Sequence, residues 1–408
     1  MFERYRNIGG RQQAAPGVTV AMPPERKELI GLAIALVLAM STWFSTAAVL
    51  GQLRADWELS DAQASWLTIV VQVGFVLGAV MSSATNLADR ITPLRLILIG
   101  SVGAAAANAL VVVVDGFPGA VAARLATGAF LALVYPPALK AMSAWFVAGR
   151  GLALGVMIGA LTVGSALPHL INALGGLSWR VTLLTASALT LVGGVIADQR
   201  CVPGPHASPP APFDARQIGR IIANREFRLA SAGYFGHMWE LYAMWAWIAA
   251  FYGDVFESGR IASLAAFVAI GAGAAGSVYM GVVSDRRSRP RAAGLAMKWS
   301  AAAAVVTGFL VDAPPIIPLV AGIVWGFWVV ADSAQFSAIV TETCDRRYVG
   351  TALTLQLAAG FVLTVFTIFL VPVIRDAHGW GWAFALLVPG PVLGAWAMHR
   401  LEHQHATS

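Results

Sequence analysis

The sequence predicts an all-α polytopic membrane protein: twelve transmembrane helices in two pseudo-symmetric bundles of six. Three observations lead there. Of 408 residues, 58% are hydrophobic and only 12% charged, with a mean hydropathy of +0.71, whereas soluble domains carry about 25% charged residues. Apolar runs long enough to span a bilayer, about 20 residues each, recur along the whole chain between short charged or Pro/Gly-rich breaks. Lys and Arg concentrate in alternate breaks, as they do in cytoplasmic loops.

Residues 1–28 are polar and Arg-containing and read as a cytoplasmic N-terminal segment. The apolar run 29–50 is too long for a signal-peptide core and reads as a retained first span. Spans 62–85, 93–114, 117–140, 151–174 and 178–198 complete a first bundle, residues 29–198. A break at 199–227 follows. Its first part, Cys201 to Pro212, is Pro-rich and irregular. In its second part Ile218, Ile221 and Ile222 alternate with Arg216, Arg220 and Arg225, which suits either a short interfacial helix or a plain tether. Spans 228–252, 260–283, 292–311, 315–339, 350–374 and 380–399 form a second bundle, residues 228–400, and 401–408 read as a cytoplasmic tail.

With both termini inside, the cytoplasmic side holds 22 of the 27 Lys and Arg residues; Arg54, Arg180, Arg260 and Arg375 lie outside and Arg124 lies within a span. The net charge of +6 is therefore mainly a topology signal, and no nucleic-acid partner is expected. The chain is expected in the inner or plasma membrane. Cys201 and Cys344 both fall on the cytoplasmic side, where thiols stay reduced.

The halves repeat. A shift of 196 positions superimposes Trp43 on Trp239 and Asp89-Arg90 on Asp285-Arg286, and a shift of 199 superimposes Gly151-Leu-Ala-Leu on Gly350-Thr-Ala-Leu. Two six-span halves in parallel repeat describe one large class of secondary transporter.

Ionisable side chains at membrane depth are costly and so mark functional sites by default. The seventh span carries two, His237 and Glu240, and the spacing of Gly233, His237, Glu240, Met244 and Trp247 puts them on one helical face suited to a cavity wall. A carboxyl and an imidazole held out of water are suited to exchanging protons near neutral pH; a bond between the two that only fixes the helix is the alternative. Trp247 is the one aromatic of this span on that face. Asp332 in the tenth span, with Gln335 nearby, is a further buried acid or a helix-end ion pair. His169 near the outer end of the fifth span is a proton relay or an interface-level histidine. Arg124 must find a carboxylate, carbonyls or water: it tunes a nearby acid or binds an anionic substrate, or else it ties neighbouring helices together.

Several local patterns carry a resemblance. Between the second and third spans the chain reads Leu87-Ala-Asp89-Arg90-Ile-Thr-Pro-Leu-Arg95, and between the eighth and ninth Gly281-Val-Val-Ser-Asp285-Arg286-Arg-Ser-Arg289. The fourth span holds Arg124-Leu-Ala-Thr-Gly128. The fifth contains Gly155, Gly159, Gly164, Pro168 and His169. In these features the chain resembles the major facilitator superfamily over essentially its whole length. It departs from the loop pattern at Thr85 and Thr92, which stand where the family has glycines. The resemblance implies a cytoplasmic latch formed by Asp89, Arg90, Asp285 and Arg286, with Gly128, Gly155, Gly159, Gly164 and Pro168 serving close packing and rocking.

A nucleotide-driven pump is excluded for this chain alone, since none of Lys27, Lys140 and Lys298 is followed by Ser or Thr as a phosphate-binding loop requires. No metal cluster or nucleophile-base arrangement suggests an enzyme or a cofactor. The expected function is secondary transport of a small organic or inorganic anion with protons by alternating access, by a monomer whose partners are its solute, protons and the bilayer. Two alternatives stay open: proton antiport of amphiphilic or cationic compounds, and a ligand-binding membrane receptor or regulator that transports nothing.

Overall fold

The computed structural model describes residues 22–146, 149–175, 178–206, 214–345 and 348–407, and among them it is helical throughout, without strands. Twelve helical units follow in order, each on one expected span: α1 (Pro24–Ala39, resuming as Ser45–Ala48 and Leu50–Trp57), α2 (Asp61–Ala84), α3 (Pro93–Leu110), α4 (Gly116–Leu131, resuming as Tyr135–Ser143), α5 (Arg150–Gly175) and α6 (Trp179–Arg200). The second set is α7 (Arg225–Val255), α8 (Gly259–Arg286), α9 (Arg289–Gly308), α10 (Ile316–Val329, resuming as Ser333–Thr343), α11 (Val349–His378) and α12 (Trp380–Ala385, resuming as Pro389–Thr407).

Nine of these are long and apolar enough to cross a membrane by composition alone. The other three are α1, α7 and α9. The first is interrupted after Ala39, the second is diluted by Arg225, Glu226, Arg228, His237 and Glu240, and the third by Arg289, Arg291 and Lys298.

Local signals set the boundaries. Ser60 and Gln63 form a reciprocal capping box at the start of α2. The Asn224 carboxamide accepts from the Glu226 and Phe227 N–H groups and starts α7. Gly379 alone separates α11 from α12, with φ of 81°, a left-handed conformation that glycine adopts without steric cost.

The packing repeats. In the first half α2 packs on α4, α3 on α6, and α1 on both α5 and α6; in the second α8 packs on α10, α9 on α12, and α7 on both α11 and α12. The halves meet mainly through two further pairs, α5 with α8 and α2 with α11, which the repeat interchanges. The fold is thus the predicted one.

The α5–α8 seam is built from small residues, because only they let two backbones touch. A side chain on Gly151 would meet the Gly281 carbonyl and the Asp285 carboxylate, one on Gly155 the Ser277 carbonyl, and one on Gly159 would press on Ala274. The Ser277 hydroxyl donates to the Gly155 carbonyl at 2.9 Å. Gly128 instead packs within the first half, against the Val71 carbonyl of α2, and Gly164 against the Val37 carbonyl of α1. Both ends of the seam are tied. At the Gly151 end Asp285 accepts from the Gly151 and Leu152 N–H groups at 2.9 and 3.0 Å, so its charge caps the positive end of α5. At the other end Arg260 donates to the Ala173 carbonyl at 3.0 Å and Asn172 to the Ser263 hydroxyl at 2.9 Å.

The second part of the linker forms a short helix, Ile218–Ala223, preceded by a 3₁₀ turn. Ile221 is buried in a cluster with Phe227, Ile339 and Ala352 while Ile222 is exposed, so this helix docks on the second half with one side chain and leaves another outward. The Pro-rich stretch 207–213 lies outside the described residues.

Two outcomes test this packing. Gly155→Leu must push α5 off α8, so it should lower stability by about 1–3 kcal/mol as overpacking does, read by thermal melting in detergent; an unchanged melting temperature would mean the seam has room for a side chain. Burial, and secondarily the Glu28 carboxylate, pushes the Cys201 thiol up to about 11. The thiolate is the reactive form, so maleimide labelling of Cys201 in the folded protein should stay slow through about pH 9 and match that of a free cysteine only after denaturation in detergent.

Candidate functional site

Breaks in helices organise the site. The carbonyls of Thr42 and Trp43 lie in the interruption of α1, and the fully buried Arg124 of α4 donates to both, at 2.9 and 2.5 Å. The same guanidinium donates to Asn108 Oδ1 at 2.8 Å and to Ser45 Oγ at 3.2 Å. Asn108 in turn donates to the Leu183 carbonyl and to Ser187 on α6. Arg124 therefore ties α1, α3 and α4 together and reaches α6 through Asn108. Its two terminal nitrogens are engaged by neutral oxygens, leaving only Nε unpartnered.

His237 and Glu240 do not bond to each other. His237 Nδ1 stands 2.7 Å from Asp332 Oδ1, a close ion-pair contact whose geometry does not align the ring N–H on the oxygen, and its Nε2 is 2.7 Å from the Ser333 hydroxyl. Both partners lie at the break of α10. Glu240 Oε1 accepts from Ser300 of α9 at 2.8 Å and from the Trp325 indole of α10 at 2.7 Å. Asp332 is thus joined to His237 at the helix break, and Glu240 forms a separate buried centre.

The face expected to line a cavity faces the inside of the second half instead. Gly233 packs on Phe336 and Met398, and Gly236 on Gly390, so this side of α7 meets α10 and α12. The reason is size: glycines and short polar groups let α7 approach its own bundle. Trp247 donates its indole N–H to the Ile368 carbonyl at 2.9 Å. Pro372, four residues on within α11, has no N–H to offer that carbonyl, so the tryptophan supplies the missing donor.

The neighbouring side of α7 carries Tyr242 and Trp245, and these meet the first half. Trp43 and Phe44 of α1, Phe75 of α2, Tyr242 and Trp245 of α7 and Phe361 of α11 form one buried aromatic cluster, with ring centroids 4.6–6.1 Å apart. Phe75–Phe361 is the closest pair, at 4.6 Å. The indole N–H groups of Trp43 and Trp245 are buried without partners. So are both ends of the Gln72 and Gln335 carboxamides, both ring nitrogens of His169 and, among the described residues, the hydroxyls of Ser101, Ser165 and Thr182. The sequence reading passed over the cluster because aromatics in a span are usually packing; the spacing of Met238, Tyr242 and Trp245 was the available signal, and the pairing across halves was not.

Of the expected latch, Asp285 makes the contact with α5 described above, and Arg90 and Arg286 are exposed. The Asp89 side chain lies outside the described residues. Among the described residues no group of three His, Cys, Asp or Glu side chains could hold a metal ion.

A model of the family described as Major Facilitator Superfamily matches residues 32–276. The chain belongs to that superfamily. It is a multi-pass membrane transporter by family and fold. The multidrug efflux pump LfrA of Mycolicibacterium smegmatis is 29% identical over 167 residues, 40% of this chain and 32% of that protein; the match spans about a third of that relative's length. Among solved structures, a D-xylose–proton symporter superimposes with a TM-score of 0.71 at 14% identity, covering 92% of this chain and 97% of that one. The proton:xylose symporter XylE bound to 6-bromo-6-deoxy-D-glucose gives 0.69 at 15% identity, covering 92% and 95%. At these identities the superfamily's symporters share the fold alone.

The Trp247–Pro372 arrangement makes a testable pair. Trp247→Phe should cost about 1–3 kcal/mol by stranding the Ile368 carbonyl, and adding Pro372→Ala, which restores a backbone N–H, should recover most of the loss in detergent-solubilised thermal melts. Additive effects of the two substitutions would remove the link.

Proposed function

We propose that this superfamily member is a proton-coupled secondary transporter that moves a lipophilic, aromatic solute against protons by alternating access. The aromatic cluster of Trp43, Phe44, Phe75, Tyr242, Trp245 and Phe361 carries this reading. Four helices from both halves contribute to it, so it lies where a solute must be held if the halves rock about it. When its rings part, their faces offer stacking and, for a cation, π attraction.

Coupling runs through α7. One side of that helix bears Tyr242 and Trp245; the other bears His237 and Glu240, bonded to α9 and α10. A proton on Glu240 changes how Ser300 and Trp325 are held, and a solute between the rings changes the neighbouring side of the same helix. Two ligands that bias one two-state element are coupled reciprocally. The moving units are residues 29–198 and 228–400, joined by the linker 199–227, with both termini on the cytoplasmic side of the inner or plasma membrane and the chain acting as a monomer; the Lys and Arg asymmetry supports the orientation.

The anion expectation takes Arg124 as its binding group, with His237 and Glu240 carrying the proton. Neutral oxygens of the first half engage both terminal nitrogens of Arg124, which leaves little of it for a substrate and favours exchange of an amphiphilic or cationic compound. The multidrug efflux relative agrees with that preference.

The test is internal pH in proteoliposomes on adding a lipophilic cationic dye or a panel of small carboxylates and inorganic anions. The expected outcome is alkalinisation of the lumen with the dye, as protons leave against it. Glu240→Gln should abolish dye accumulation driven by a pH gradient while exchange of dye for dye persists, and Trp245→Ala should raise the half-saturating dye concentration by about tenfold, the loss of one ring contact of 1–2 kcal/mol. Acidification by one anion class with no dye response would restore anion symport; no flux with any solute, with binding retained, would favour a receptor.

A further inference from the structure

Lys298 stands in an unusual place. It lies about 9 Å past residue 292, the expected start of the ninth span, yet it is exposed on the outside of α9 beside exposed Leu295 and Trp299. Charged side chains inside a span normally face the bundle interior or a partner. Neither Lys298 nor Arg287 or Arg291 has an ion pair among the described residues.

These three cations share one groove. A cavity of about 590 Å³ between the cytoplasmic ends of α9 and α12 is lined by Arg287, Arg291, Lys298, His399 and His403. Glu402 is the one acid in its wall, and it already accepts from Ser288 at 3.1 Å. The floor is small and apolar, formed by Ala292, Gly294 and Ala395. Trp396, exposed on the same stretch of α12 and overlain by the Arg400 guanidinium at 5.4 Å, continues the apolar border toward the bilayer.

We propose that this groove is a binding site for an anionic phospholipid of the cytoplasmic leaflet. The phosphate sits between Arg291 and Lys298, with Arg287 and the histidines at the rim, and the acyl chains descend along Leu295, Trp299 and Trp396. Three features select this occupant. The charge is concentrated and positive, as a phosphate requires. Lys298 is set below the other cations, at a depth where its long side chain reaches up to the headgroup level while its stem lies in hydrocarbon. The groove opens sideways among exposed apolar residues, so its ligand enters from the membrane. The site is separate from the aromatic cluster and from the α7 acids and stands whether or not the proposed transport activity does.

The experiment uses the full-length protein in detergent, exposed to phosphatidylglycerol, phosphatidylcholine or soluble glycerol phosphate, with bound lipid counted by native mass spectrometry and stability read by thermal melting. Phosphatidylglycerol should be retained and raise the melting temperature, phosphatidylcholine should do neither, and the Arg291→Gln, Lys298→Gln double variant should lose at least fivefold in lipid affinity while melting as the wild type does without lipid. Arg216→Gln, Arg220→Gln, which removes as much charge from the linker, should retain the lipid. Equal retention of both lipids, equal loss in the linker variant, or equal stabilisation by soluble glycerol phosphate would overturn the proposal.

Discussion

Inside a bilayer no water takes up an unpaired main-chain carbonyl, and each one left open costs several kcal/mol. This chain interrupts its helices at α1, α4, α10 and α12 and puts a proline inside α5 and α11. Much of its polar chemistry answers that demand. Arg124 takes the carbonyls of Thr42 and Trp43, Trp247 takes that of Ile368, and Trp239 takes that of Leu386 beside the break in α12. Side chains that look functional because they are polar and deep are here partly the donors that make irregular backbone tolerable.

The same demand separates the groups left for chemistry from those already committed. Arg124 is largely spent within the first half. His237, Asp332 and Ser333 meet where α10 breaks, on a helix lacking its continuous ladder at that point. Glu240 joins three helices of the second half through two donors to one oxygen. The halves touch through different material: glycine and serine along α5 and α8, aromatic rings between α1, α2, α7 and α11. The first surface holds two backbones at close range. The second has bulk that would have to rearrange if the halves moved, which is why solute recognition is proposed there.

Much of this was legible beforehand. The spans followed from apolar runs, the two halves from the repeated Asp-Arg pairs, and the buried ionisable groups from their depth. The close-packing role of Gly155 and Gly159 was readable as spacing, although their partners on α8 were not. The partners of Glu240 were equally invisible, since Ser300 and Trp325 lie 60 and 85 positions away and carry no local pattern linking them to it.

The sequence by itself determined which segments are helical, how many there are and that they repeat, because hydrophobic length and charge placement act locally on each segment in a bilayer. Only the tertiary structure decided which face of α7 turns toward the other half. Helical spacing ranks faces by polarity, but here the polar, glycine-bearing side is drawn into its own bundle, where short side chains permit close approach and its polar groups meet Asp332, Ser333, Ser300 and Trp325. The aromatic side, with no such partners to find, is left for the interface.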